Sequence, residues 1–140
     1  MSANARTPEL VIDTNVWVSG FLSDTGFPAQ LRLAAMQGKF MPVYTPAILA
    51  EYMDVLNRPR FGFPRETVAH FITRLLENGV EVFPVEPPVR LPDTDDEVFL
   101  AAALGSADKI VVTGNTKHFP AAACHPVRVL NPAEAIRLLE

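Results

Sequence analysis

The sequence predicts an α/β fold, a three-layer α/β/α sandwich around a central, mainly parallel sheet of four to five strands. Short apolar runs rich in β-branched residues alternate with longer segments of helical periodicity, which is the pattern of right-handed β-α-β units. The runs at residues 10–12 and 110–112 are entirely apolar, as strands buried on both faces are. The chain of 140 residues is 49% hydrophobic, which is enough for one full core.

The first half of the chain predicts two strands and three helices. Pro28 suits the first turn of a helix, and Gly38 ends that helix. Thr45 followed by Pro46 marks the start of another helix, whose apolar residues recur at helical spacing through Leu56. We therefore expect strands over residues 10–12 and 40–44, and helices over residues 16–22, 29–37 and 46–56.

The second half repeats the alternation after a loop over residues 57–64 that carries two arginines. A carboxylate-rich segment, residues 93–97, opens an apolar helix, and Asn131 with Glu134 forms a capping box for a terminal helix. We expect helices over residues 66–78 and 98–104 and strands over residues 80–85, 110–112 and 126–130. Residues 1–8 are expected to form a flexible tail before a single domain over residues 9–140.

Charge and cysteine content restrict the class of protein. The formal net charge of −4 argues against nucleic-acid binding through a broad basic face, although it allows a local basic rim. Cys124 is the only cysteine, so no internal disulfide can form, and a reducing, cytoplasmic location is expected. No apolar run reaches the length of a membrane span, so no membrane partner is expected. No glycine-rich phosphate loop and no GxSxG motif is present, which argues against nucleotide kinases and serine hydrolases.

Acid and amide side chains stand at four separate places where the fold would bring them together. Asp13 follows the first buried strand and Asn115 follows a second one, and the carboxyl ends of parallel strands meet at one edge of a sheet. Glu51 lies at the edge of an apolar helix face, and Asp96, with Asp93, opens the helix over residues 98–104. Carboxylates gathered in one place repel each other unless a cation lies between them. Oxygen ligands without a His or Cys cluster favour Mg²⁺ or Mn²⁺ over Zn²⁺.

Each of these residues also has a purely structural interpretation. Asp13 could cap the helix that follows it, and Asp93 and Asp96 could stabilise the first turn of theirs. Glu51 could be a surface residue, and Asn115 could serve only a tight turn after Gly114. The four interpretations are independent of one another, so their coincidence at one end of the sheet favours a metal centre.

Four motifs, in order, carry a resemblance to a known family. They are residues 11–16 (Val-Ile-Asp-Thr-Asn-Val), 49–52 (Leu-Ala-Glu-Tyr), 93–96 (Asp-Thr-Asp-Asp) and 112–120 (Val-Thr-Gly-Asn-Thr-Lys-His-Phe-Pro). The ordered set resembles the PIN-domain ribonucleases, and more narrowly the bacterial group described as toxins of toxin–antitoxin pairs. The resemblance extends roughly from residue 9 to residue 139 and implies a PIN-like fold.

The resemblance implies a function and a set of site residues. It implies a metal-dependent endoribonuclease that cleaves single-stranded or loop RNA, with a cognate antitoxin as partner; it also allows a homo-oligomer. Asp13, Glu51 and Asp96 match the three acids of the family that bind the metal and are catalytic. Further positions match residues that support the metal site: Asn15, Asp93 and Thr113. The sequence departs from the family at Asn115, where many members have a fourth acid.

Basic and aromatic residues near the motifs are candidates for RNA contacts. Arg58, Arg60 and Lys117 could bind phosphates, although each could also be ordinary surface charge. Phe61 and Trp17 could stack on bases, with a core position favoured for Trp17. His118 is expected to be at most a contact at the rim of the site.

Two other classes of function remain open from the sequence. One is a non-catalytic PIN-like module that binds RNA or a partner protein, which the missing fourth acid favours. The other is a phosphatase with Asp13 as its nucleophile, which would require a second aspartate where Asn15 stands.

Overall fold

A parallel sheet of five strands runs through the middle of the computed structural model, which describes residues 6–140. The strand order across the sheet is β3-β2-β1-β4-β5, so β1 is central. Every pairing in the sheet is parallel. The strands are β1 (Glu9–Ile12), β2 (Met41–Tyr44), β3 (Val80–Glu81), β4 (Ile110–Val112) and β5 (Arg128–Leu130). The predicted α/β class with a parallel sheet is confirmed.

Seven α-helices connect and cover these strands within the described residues. They are α1 (Thr14–Leu22), α2 (Phe27–Met36), α3 (Pro46–Leu56), α4 (Arg65–Asn78), α5 (Glu97–Leu104), α6 (Ala121–Cys124) and α7 (Pro132–Leu139). The predicted caps are present: the Thr45 side chain accepts a hydrogen bond from the Ile48 backbone N–H, and Asn131 and Glu134 form a reciprocal capping box. These local signals fix where α3 and α7 begin.

The core lies between β1, β4 and the helices around them. Leu10, Val11 and Ile12 are completely buried, as the apolar run predicts. Trp17 is also completely buried and packs edge-on against Tyr52 and Phe71, so its core interpretation is confirmed. A residue in this position cannot reach an RNA base.

Several segments differ from the prediction. Strand β5 begins at Arg128 instead of residue 126, because the N–H of Val127 closes the preceding turn on the carbonyl of Cys124. Strand β3 ends at Glu81 instead of residue 85, because the backbone leaves β2 to run beside α5, where the N–H of Val85 donates to the carbonyl of Ala101. Pro84, which has no N–H to donate, lies on this stretch. The carboxylate-rich segment forms a 3₁₀ turn, Thr94–Asp96, before α5. Helix α6, a single turn after Pro120, was not predicted at all.

The amino-terminal residues contact the sheet. Of the predicted tail, residues 1–5 lie outside the described residues. The Arg6 guanidinium pairs with the Asp108 carboxylate at 2.7 Å, and the Pro8 carbonyl accepts a hydrogen bond from the Met41 N–H.

Over the described part of the chain, no helix combines the length and apolar character that crossing a membrane requires.

Candidate metal centre

The carboxyl ends of β1 and β4 bring Asp13 and Thr113 together. The strands are neighbours, with Ile12 paired to Val112, and the Asp13 N–H donates to the Val112 carbonyl at 2.9 Å. The Thr113 hydroxyl donates to Asp13 Oδ2 at 2.8 Å. Asp13 is 4% exposed and Thr113 is fully buried. Asp13 also caps α1, accepting from the Asn15 N–H at 3.5 Å, so its structural interpretation and its place at the sheet edge both hold.

Glu51 reaches the same edge from α3. The Thr14 hydroxyl, at the start of α1, donates to Glu51 Oε2. The next residue, Tyr52, donates from its buried hydroxyl to the backbone carbonyl of Ile12. Two adjacent residues of α3 are therefore tied to the residues on either side of Asp13, Ile12 and Thr14, and Glu51 lines the same cleft as Asp13.

Asp93 and Asp96 come from the turn that leads into α5. The Asp93 side chain accepts from the Asp95 N–H at 3.0 Å and caps the turn. Asp96 precedes α5 but makes no capping hydrogen bond, so a structural cap does not account for it. Its Oδ2 atom is buried, and no residue of the described chain forms a hydrogen bond with it. His118 Nδ1 lies 3.2 Å from this oxygen, without the angles of a hydrogen bond.

These acids share one open cleft of about 350 Å³. Its walls carry five carboxylates, those of Asp13, Glu51, Asp93, Asp95 and Asp96. Asn15 also lines the cleft, and two arginines, Arg58 and Arg60, lie on its wall with Phe61. The site is therefore an acidic pit with a cationic and aromatic side.

Burial raises the pKa of two carboxylates in the cleft. The pKa of Asp96 is raised to about 6, chiefly by burial and then by the charges of Asp13 and Asp93. Burial also raises the pKa of Asp13, although the hydrogen bond from Thr113 opposes the shift. For both groups burial outweighs the opposing charge of His118, so the ionised carboxylates still lack part of the positive charge that would compensate them. A cation placed among them would supply that charge.

His118 joins the acids in a way that the sequence interpretation missed. Asp93, Asp96 and His118 each offer a potential ligand atom, and these atoms lie within 4.8 Å of one another. His118 ends the 3₁₀ turn Thr116–His118 after β4, and its Nε2 lies 3.1 Å from the amide nitrogen of Asn115. No ligand spacing revealed it, because its acidic neighbours stand on a different segment.

The remaining predicted residues differ in their surroundings. Asn115 is exposed and contacts His118, and it is not among the residues that line the cleft. Lys117 is exposed on the same turn. Arg58 forms an ion pair with Asp54 at 2.9 Å, one helical turn away. The Arg60 guanidinium instead lies 4.7 Å over the Phe61 ring.

Comparison with known proteins gives one positive result. The sequence model of the PIN domain family matches residues 9–117, which include Asp13, Glu51, Asp96 and Asn115. His118 is the first residue beyond the match. No curated protein matches the sequence significantly. The family match extends over most of the chain, and together with the five-stranded parallel sheet it shows that the chain belongs to the PIN domain family, whose members are generally nucleases.

Proposed function

We propose that this protein is a metal-dependent endoribonuclease that hydrolyses phosphodiester bonds in single-stranded or loop RNA. The observation that carries the proposal is the convergence of the carboxylates on one cleft, with a buried oxygen of Asp96 left without a hydrogen bond. A buried carboxylate oxygen without a hydrogen bond is unfavourable unless it meets a cation or a proton, and His118, 3.2 Å away, is a cation only when protonated. The donor set therefore fits a bound divalent ion.

Asp13, Glu51 and Asp96 are the proposed catalytic residues and metal ligands. Carboxylate oxygens suit Mg²⁺ and Mn²⁺, and the imidazole of His118 beside Asp96 would favour Mn²⁺. Thr113 orients Asp13 through its hydroxyl, and Thr14 orients Glu51. Asn15, Asp93 and Asn115 are proposed to support the site from its edges.

The chemistry is the addition of water to phosphorus and the departure of a ribose oxygen. The new bond joins the water oxygen to phosphorus, the phosphorus bond to the ribose oxygen breaks, and the leaving oxygen takes up a proton. Asp13, Glu51 and Asp96 would hold a divalent cation, which would supply Lewis-acid chemistry by lowering the pKa of water and neutralising charge that develops on the phosphate. The residues of the chain hold their carboxylates in position before substrate arrives, which reduces reorganisation during the reaction.

Arginines on the cleft wall are proposed to bind the RNA backbone. Arg58 and Arg60 are cationic residues beside an acidic pit, and Lys117 is exposed on the turn that carries His118. Such contacts place the RNA without reading its sequence. They fit an acidic protein whose basic surface is local, in accord with the net charge of −4.

A cleavage assay with matched variants tests the proposal. The purified protein, stripped of metal, should cleave a single-stranded RNA only after Mn²⁺ or Mg²⁺ is restored. Asp13→Asn, Glu51→Gln and Asp96→Asn should each lower kcat/KM by at least about a hundredfold, the scale of several kcal/mol of lost charge stabilisation. Asp24→Asn changes an exposed acid outside the cleft and should cleave as the wild type does. Cleavage by Asp13→Asn at the wild-type rate would show that this cleft does not cleave the RNA and would overturn the proposal.

The cleavage assay, combined with measurements of Mn²⁺ and RNA binding, also tests an alternative function. Asn115 brings no charge to a position where a fourth acid is common in relatives, so a non-catalytic module that binds RNA or a protein remains the second candidate. A protein that binds Mn²⁺ and RNA tightly but does not cleave would support that module.

We further propose that the nuclease is the toxin of a toxin–antitoxin pair and acts in the cytoplasm. The four ordered sequence motifs support this role. Induced expression in a bacterial host should arrest growth, the Asp13→Asn variant should not, and a small protein encoded next to the gene should restore growth. A homo-oligomer remains a prediction, which size-exclusion chromatography with light scattering would test.

A further inference from the structure

A column of aromatic rings leads to the cleft from the segment between α3 and α4. The rings of Phe61 and Phe63 are stacked, with centroids 5.4 Å apart and planes 9° from parallel. Phe63 packs in turn on Phe21, at 5.2 Å between centroids. Gly62, between the two stacked residues, has a left-handed backbone with φ of 65°. The column is therefore anchored on α1, and Phe61 is its end at the cleft.

Arg60 completes this column. Its guanidinium carbon lies 4.7 Å from the centroid of the Phe61 ring, and Arg60 is exposed whereas Phe61 is half-buried against the core. Among the hydrogen bonds and ion pairs of the described chain, none engages the Arg60 guanidinium. Arg58, on the same wall, is held by the Asp54 carboxylate instead. The sequence predicts the same phosphate-binding role for both arginines, but their side chains have different partners in the structure.

We propose that Arg60 determines specificity by stacking one nucleobase of the RNA beside the phosphate bound in the cleft. This inference rests on the proposed nuclease function. A guanidinium is planar, so it can stack on an aromatic ring and on a base, and RNA-binding proteins use it in this way. The Phe61 ring, 4.7 Å from the guanidinium carbon, offers a face on which this plane can lie where both residues line the cleft.

The consequence is a substrate that is single-stranded at a defined nucleotide. A base within a duplex is already paired and stacked, so it must leave its neighbours before it can stack on Arg60. Stacking is tolerant of base identity because every base has a π-face. Arg60 therefore selects unpaired RNA and favours no particular sequence.

If Arg60 acted through its charge alone, it would bind an RNA phosphate and would not stack on a base. A lysine supplies the same charge to a phosphate but has no plane to stack on a base. Arg60→Lys therefore separates the two roles, and because residue 60 is exposed, the variant should fold normally. Arg58→Lys is the matched comparator on the same wall.

The test uses single-stranded RNA oligonucleotides of one sequence in which a single abasic ribonucleotide is placed at successive positions. For the wild type with Mn²⁺, kcat/KM should fall about tenfold or more at one position near the cleavage site, the scale of one stacking contact between a base and a protein side chain. Arg60→Lys should cleave the intact RNA more slowly and lose this dependence. Arg58→Lys should keep it. An Arg60→Lys variant with the full abasic effect, or a wild type with none, would overturn the inference.

A binding measurement keeps the inference testable without cleavage. The RNA carries 2-aminopurine at the position where the abasic substitution slows cleavage, or at each position in turn if the RNA is not cleaved. The fluorescence of this base should change when the RNA binds to the wild type and not when it binds to Arg60→Lys. If the wild type shows this fluorescence change but does not cleave the RNA, the nuclease function is refuted and the stacking role is retained. An equal fluorescence change in both proteins would refute the stacking role.

Discussion

Replacing Thr113 with valine should weaken the metal centre although Thr113 does not line the cleft. Its hydroxyl donates to Asp13 Oδ2 at 2.8 Å and accepts from the Asn115 N–H at 3.0 Å. Valine has nearly the same shape as threonine, so the substitution removes the hydroxyl while the space around fully buried residue 113 stays filled. The change therefore reports on the hydrogen bond and not on a cavity.

The magnitude follows from the charge of the acceptor. A hydrogen bond to a charged group contributes about 1.5–3 kcal/mol, and a domain of this size loses roughly 3 °C in Tm per kcal/mol, so Thr113→Val should melt about 5–9 °C lower. Asn115 is exposed, so water replaces the partner that its N–H loses. Substituting a residue that orients a metal ligand typically weakens metal binding by about 10–100-fold, and we expect a loss of this size for Mn²⁺.

Isothermal titration with Mn²⁺ and melting curves with and without the metal provide the measurements. Thr113→Ser is the control: it keeps the hydroxyl, loses one buried methyl group worth about 1 kcal/mol, and should bind Mn²⁺ nearly as the wild type does. Equal Mn²⁺ affinity in the valine and serine variants would show that Asp13 does not depend on Thr113, and would refute the assignment of Asp13 as a ligand oriented from β4.

Three further predictions concern pH, Asn115 and Cys124. The pKa of Asp96 is raised to about 6 in the folded protein, so binding of its proton stabilises the folded state. This stabilisation, on the order of 1–2 kcal/mol after solvent screening, is complete below about pH 4 and is lost as the pH rises through 6. The wild type should show this loss relative to Asp96→Asn in melting curves without metal, and saturating Mn²⁺ should abolish it. Asn115→Asp should tighten Mn²⁺ binding or raise its stoichiometry in calorimetry and lower the metal-free Tm; unchanged binding would mean that residue 115 does not face the metal. Cys124 is buried, which raises its thiol pKa, so Cys124→Ala should leave cleavage unchanged below its Tm, and a loss of activity there would contradict an idle thiol.

The parts of the fold that sequence predicted best are those fixed by local chemistry. The apolar runs of β1 and β4 are found where they were expected, and so are the caps at Thr45 and Asn131. The expected meeting of β1 and β4 follows from their burial, because strands without polar faces belong in the middle of a sheet. Strand β3 was overestimated, because apolar character continues past Glu81 while its backbone hydrogen bonds turn toward α5.

The positions of the candidate site residues were predictable where they follow from a strand or from the periodicity of a helix, and less so elsewhere. Asp13 could be placed from its strand, and Glu51 from the stripe of its helix. The approach of His118 to Asp96 depends on how a short turn after β4 packs against the entrance to α5, and neither segment carries a periodic signal. The contrast between Arg58 and Arg60 likewise depends on which neighbour each guanidinium meets.

The attachment of α3 to the end of β1 has a consequence for how this protein can diverge. Tyr52 bonds the Ile12 carbonyl and Thr14 bonds Glu51, so direct contacts fix the spacing of Asp13 and Glu51. The exposed turn before α2, residues 23–26, takes no part in these contacts. Insertions and deletions in that turn should leave cleavage intact while they change the outer surface, whereas α2 itself is packed into the core through Leu31 and Ala35. Variation in this turn can therefore change the outer surface around a reaction centre that stays constant.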